Sequence, residues 1–124
     1  MIMLKLTIAI LMQVESSNGV NLYNSEEKAY GVLQIRAECL EDVNGRYGTK
    51  YTLQDCYKSH LISKWVFVHY IRMYKVDESS IEDMCRFWNA GPSYKRLGSR
   101  ARTINNKHWQ KCKGVYDGIQ RRGR

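Results

Sequence analysis

The sequence predicts an α+β domain, predominantly helical, with a small β or loop excursion after the first helix. Three observations predict it. Apolar residues recur at helical spacing over most of the chain, and a Ser, Asn and Gly cluster around Asn18-Gly19 interrupts that pattern over residues 16–35. The length of 124 residues suits one domain, 1–124, with a single core.

The elements follow in order. The apolar run from Leu6 to Val14 is too short for a bilayer, which needs about 20 residues. It could pass for the hydrophobic part of a secretory signal, but no small-x-small cleavage site follows, so it reads as a buried helix. Val20-Asn21-Leu22-Tyr23 and Ala29 to Ile35 are short alternating runs that form the excursion. A short helix over 36–43 is expected to end at Asn44-Gly45, a turn signal. Thr52 with Asp55 resembles a capping box, and Leu53, Tyr57, Leu61, Trp65, Val68 and Ile71 behind it predict one helix to about Tyr74, the longest of the chain. Ser80 with Asp83 starts a helix carrying Met84, Cys85 and Trp88, which Gly91-Pro92 stops. A last helix over 103–119 places Trp109, Cys112, Tyr116 and Ile119 on one face, and Arg121 to Arg124 form a solvated, mobile tail.

Composition narrows the function classes. With 44% hydrophobic and 26% charged residues the chain is neither disordered nor fibrous. A formal charge of +8 predicts an acidic partner: nucleic acid, an anionic membrane or an acidic cell-wall polymer. Cys39, Cys56, Cys85 and Cys112 stand far apart, as do His60, His69 and His108, so no metal site is expected. In an exported protein the cysteines allow two disulfides in three connectivities; in a reducing compartment they are small buried hydrophobes, the preferred reading because each sits on an apolar helical position.

Glu15 is the most informative residue, because it follows an apolar helix and precedes a polar, glycine-containing turn. Apolar walls disfavour the charged form of a carboxyl, which suits such a group to proton donation. Glu15-Ser16, then Ser25, then Tyr30-Gly31-Val32-Leu33-Gln34-Ile35, and later Trp88-Asn89-Ala90-Gly91 stand in an order and spacing that resemble the signature segments of the soluble-lytic type of lytic transglycosylases. That family is related to goose-type lysozyme, and the resemblance covers residues 6–119. It implies a lysozyme-like fold with Glu15 as the sole catalytic acid/base. Ser25, Tyr30, Gly31, Gln34, Trp88 and Asn89 would bind substrate. Within that set Gln34 orients the sugar N-acetyl group, Ser25 polarises it or holds Glu15, and Gly31 lets the backbone approach the sugar. Asn89 would support the cleft floor, Ser16 would fix the turn behind Glu15, and Gly91 would be structural near the site.

Two positions depart from the family pattern. Trp88 replaces a usual Tyr and has an N–H but no hydroxyl, so a contact made by that phenol passes to a residue such as Tyr70 or Tyr94. Arg36 stands where goose-type hydrolases tend to place an Asp, which leans the reading toward transglycosylation unless Glu26, Glu27 or Glu38 stands in.

The resemblance implies a partner in peptidoglycan glycan strands, cleaved at the MurNAc-GlcNAc β-1,4 bond to a 1,6-anhydro product without cofactor or metal. A hydrolytic muramidase is the alternative on the same fold. A non-enzymatic basic module binding nucleic acid or cell wall is the alternative from another class. The basic residues read as spread along the chain with no recognition helix, so no nucleic acid is expected. No stable membrane insertion is expected, and the chain should act as a monomer. Its place of action would be the bacterial cell wall, periplasmic or extracellular. Glu15 leaves no room for a removable signal ahead of the domain, which favours a bacteriophage origin.

Overall fold

The computed structural model describes residues 2–123; Arg124, the end of the expected tail, lies outside them. The described residues are predominantly helical with one two-stranded antiparallel sheet among them, as the helical periodicity and the interruption after the first helix predict. The described residues divide into two compact units, one formed by residues 2–14 with 76–123 and the other by Glu15–Lys75.

The first helix, α1 (Ile2–Ser16), is longer at both ends than the apolar run alone suggests. It buries Leu4, Thr7, Ile10 and Leu11 at helical spacing, and the Thr7 hydroxyl donates to the Met3 carbonyl at 2.8 Å, so burying it leaves no orphan donor. In the same unit α5 (Ile81–Ala90) packs on α6 (Ser99–Arg122). The Ser80 hydroxyl accepts from Asp83 N at 3.0 Å, and Met84, Cys85, Phe87 and Trp88 are buried. A 3₁₀ turn, Tyr94–Arg96, leads into α6, whose buried residues are Asn105 and Cys112.

α6 corrects two expectations. With 24 residues it is the longest helix among the described residues, and it begins four residues before Thr103, at Ser99. Arg121 and Arg122 continue it, so this part of the expected mobile tail is exposed helix.

In the Glu15–Lys75 unit, β1 (Tyr23–Asn24) and β2 (Ala29–Tyr30) pair with Tyr23 opposite Tyr30 and Asn24 opposite Ala29. α2 (Ala37–Tyr47) packs on α4 (His60–Met73), and α3 (Leu53–Lys58) packs on α4 and β2. The core gathers Val32, Leu33, Ile35, Leu40, Val43, Val66, Phe67 and Ile71.

Two expectations fail here for local reasons. α2 runs through Asn44-Gly45 and stops at Gly48, whose φ of 70° suits glycine. Asn44 is occupied in bracing the next loop: its side chain donates to the Tyr51 carbonyl and accepts from Thr49 Oγ1 and Tyr51 N at 2.8, 2.9 and 3.2 Å. The helix expected to run from 53 to 74 is broken at Ser59, which is extended at φ −129° and caps α4 by accepting from Ile62 N at 3.1 Å. The Thr52 and Asp55 capping box forms as its spacing predicts.

Candidate active site

Glu15 is half-buried in the last turn of α1, and its neighbour Ser16 is buried. The chain leaves that turn through Ser17, Asn18 and Gly19 at φ of 51°, 57° and 89°. Three consecutive left-handed residues need anchoring, because only glycine adopts this region without steric cost. Ser16 supplies the anchor. Its Oγ accepts from Gly19 N at 3.0 Å and donates to the Val32 carbonyl at 2.7 Å, while its own carbonyl accepts from Asn21 N at 2.9 Å.

The second half of this site is the loop closed by Tyr30 and Ile35, whose amides and carbonyls exchange hydrogen bonds of 2.9 and 2.8 Å. Gly31 N donates to the Leu22 carbonyl at 2.7 Å, which ties the loop to the chain leaving α1. Gln34 has φ of 56°, an uncommon conformation for a residue with a side chain. Its Nε2 donates to the Gly31 carbonyl at 2.9 Å, which fixes the amide and turns Oε1 into an acceptor with a set direction.

Gly31 is required by its own surroundings. At φ of 87° any side chain would be strained, and a Cβ there would meet the Cys56 carbonyl oxygen at 2.3 Å and Ser63 Oγ at 3.0 Å. The protein's own backbone therefore comes close enough to require glycine here. The break at Ser59 leads to this contact: Cys56 O, near the end of the interrupted helix, accepts from Ser63 Oγ at 2.9 Å and packs beneath Gly31.

Tyr30 is half-buried, with its ring centroid 4.8 Å from that of Tyr23 across the hairpin. A hydrogen bond between the two phenols pushes the Tyr30 hydroxyl above its ordinary range, and partial desolvation and the Tyr23 charge act the same way. Ser25 is exposed in the turn between β1 and β2, where Asn24 Oδ1 accepts from Glu26 N and Glu27 N at 3.1 Å. Glu26, Glu27 and Glu38 are exposed, and Arg36 precedes α2 in extended conformation.

In the other unit, Trp88 is buried and Asn89 half-buried on α5. Asn89 Oδ1 accepts from Asn105 Nδ2 at 3.0 Å; the same Nδ2 donates to the Arg86 carbonyl at 3.1 Å, and Arg86 Nη1 donates back to Asn105 Oδ1 at 3.1 Å. Gly91, at φ of 83°, caps α5 by donating its N–H to the Phe87 carbonyl at 2.7 Å. Tyr94 packs edge-on against Phe87 with centroids 6.0 Å apart, and burial raises its phenol above the ordinary range.

The sequence reading misses Asn105, Tyr23 and the Cys56 and Ser63 pair. Asn105 carried a signal, since it lies four residues before Trp109 and seven before Cys112 on the inward side of α6. The others depend on register and on a helix break, which no local pattern announces. All four cysteines are thiols, and burial pushes Cys56 up to about 11. His69 stacks on Trp65 at 3.9 Å, and His108 Nδ1 lies 3.8 Å from Cys112 Sγ. Among the described residues no three His, Cys, Asp or Glu side chains form a metal-binding group. No helix among them is long and apolar enough to cross a membrane.

No family model, curated protein or solved structure matches the chain.

Proposed function

We propose that the chain is a lysozyme-like enzyme that cleaves peptidoglycan glycan strands by non-hydrolytic transglycosylation, with Glu15 as its acid/base. One observation carries the reading. The hydrogen bond from Ser16 Oγ to the Val32 carbonyl at 2.7 Å joins the Glu15-Ser16 turn to the Tyr30 to Ile35 loop, although they are separate in sequence. Those are the two segments whose residue types resemble the family's acid and its sugar-binding loop. The Gln34 amide supports it too, because Nε2 donates to the Gly31 carbonyl and leaves Oε1 to accept, as it would from a sugar N-acetyl N–H.

The chemistry follows from having one carboxyl in that role. Most glycosidases use two carboxylates, but a substrate with an N-acetyl group and a free C6 hydroxyl can supply the second function itself. Protonated Glu15 gives its proton to the oxygen linking N-acetylmuramic acid to N-acetylglucosamine. The muramic N-acetyl carbonyl stabilises the cationic anomeric carbon as that bond breaks. The Glu15 carboxylate then takes the C6 hydroxyl proton while the C6 oxygen bonds to the anomeric carbon, closing a 1,6-anhydro ring. No water is consumed.

The test is mass spectrometry of soluble fragments released from purified peptidoglycan, run beside Glu15→Gln. Anhydro fragments, one water lighter than hydrolytic ones and absent with the variant, are the expected result. Hydrated reducing-end fragments would make the enzyme a muramidase, and equal release by the variant would remove Glu15 from its role.

A further inference from the structure

The basic residues are spread along the chain, but the net positive charge is concentrated at its C-terminal end. Residues 94–124 hold ten of the twenty Lys and Arg and, of the twelve acids, only Asp117, which gives that segment +9 and the preceding 93 residues −1. α6 carries most of that excess. At about 100° and about 1.5 Å per residue, Arg100, Lys107, Lys111, Arg121 and Arg122 share an arc of about 100° and a length of about 33 Å, on the side away from buried Asn105 and Cys112. All five are exposed. The helix's one carboxylate, Asp117, is engaged by Lys113 at 3.3 Å.

The arc has a focus. Gly118 lies on it, and a Cβ there would meet Arg122 Nη1 at 3.6 Å and Arg121 Nη2 at 3.9 Å. Two guanidinium groups therefore fold back over one bare glycine, which costs like-charge repulsion and forms a fork suited to a phosphate.

We propose that this face of α6 is a binding surface for a linear phosphodiester polymer of the cell wall, of the poly(glycerol phosphate) kind. The choice of a wall polymer rests on the peptidoglycan reading above. Three features favour it over other polyanions. The stripe has no aromatic ring on which bases could stack, since Trp109 and Tyr116 lie on the half-buried side. Packing of α6 on α5 occupies the side that an interfacial membrane helix would insert. The cations lie along one face of a single helix that a flexible chain can follow, whereas duplex phosphates run on curved paths.

The test is fluorescence anisotropy with a labelled poly(glycerol phosphate) oligomer, in competition with single-stranded DNA, duplex DNA and phosphatidylglycerol vesicles. With five cations engaged, log Kd should rise with log salt at a slope of about 4. The variant Lys107→Glu with Lys111→Glu changes two exposed residues and should keep the wild-type circular dichroism, yet lose affinity on the order of tenfold or more. Arg121→Gln with Arg122→Gln should do the same. Unchanged affinity in both variants, or tighter binding of any competitor, overturns the proposal. Glu15→Gln should bind the polymer undiminished, and the Lys107 and Lys111 variant should cleave polymer-free glycan fragments at the wild-type rate. A protein that binds the polymer through these residues but cleaves no glycan would sink the enzymatic reading alone; one that cleaves glycan and ignores the charge reversal would sink the binding surface alone.

Discussion

The hydroxyl of Ser16 donates to the carbonyl oxygen of Val32 at 2.7 Å, joining the last turn of α1 to the loop that carries Gln34. The same oxygen accepts from Gly19 N, so one buried side chain satisfies two backbone groups and fixes the exit from α1 behind Glu15. Removing it should therefore affect stability and, on the proposed function, catalysis. Ser16→Ala leaves those two groups without this partner and is expected to cost about 1–3 kcal/mol in urea unfolding. Glycan cleavage should fall further than the folded fraction does.

Glu15→Gln keeps the size of the side chain and removes the proton that the proposed mechanism requires it to give and take back. The expected loss of glycan-cleaving rate is on the order of 10²–10⁴, with the urea midpoint close to wild type. Full activity in this variant is the outcome that refutes the assignment.

Gly31→Ala should destabilise because the new Cβ would lie 2.3 Å from Cys56 O at a φ of 87°. Strain and overpacking together predict a loss of about 2–5 kcal/mol. Ser63→Gly would relieve only the 3.0 Å contact to Ser63 Oγ, so it should not rescue the variant; a rescue would mean the backbone contact is not what excludes the side chain.

Asn105→Ala removes the donor shared by Asn89 Oδ1 and the Arg86 carbonyl and the acceptor used by Arg86 Nη1. A cost of about 1–3 kcal/mol is expected, measured by thermal or urea unfolding. Asn106→Ala, which loses only the exposed acceptor of the same guanidinium, should cost less.

Stability should fall at alkaline pH. Burial raises the Cys56 thiol from 9.0 to about 11, so the folded state holds the proton more tightly than the unfolded chain. The contribution is fully present below pH 9 and is lost as pH rises through 11. Cys39 and Tyr70 are raised by burial in the same direction, so Cys56→Ala should flatten only part of the decline in urea midpoint between those limits. An unchanged slope in the variant would exclude Cys56 as a contributor.

Local patterns carried what depends on neighbours in sequence. Apolar spacing marked α1, α5 and α6, and the Thr52 and Asp55 pair marked the start of α3, because caps and amphipathic faces are set within one or two helical turns. The Ser, Asn and Gly cluster likewise located the excursion that became β1 and β2. Glu15 could be singled out for a similar reason, since its type and position at the end of an apolar run are visible in the chain.

Tertiary packing decided the rest. Periodicity ran unbroken from Leu53 to Tyr74, yet the helix parts at Ser59, and the Cys56 carbonyl there is met by Ser63 from α4 and by Gly31 from a distant loop. Asn44-Gly45 reads as a stop but stays helical, because its side chain finds Thr49 and Tyr51 only once the loop has folded back. The sequence by itself determined the residue types that could do chemistry and the helices that carry them. Which of those residues are fixed by hydrogen bonds and which are left exposed was decided by contacts between segments far apart in the chain, whose energies no local pattern encodes.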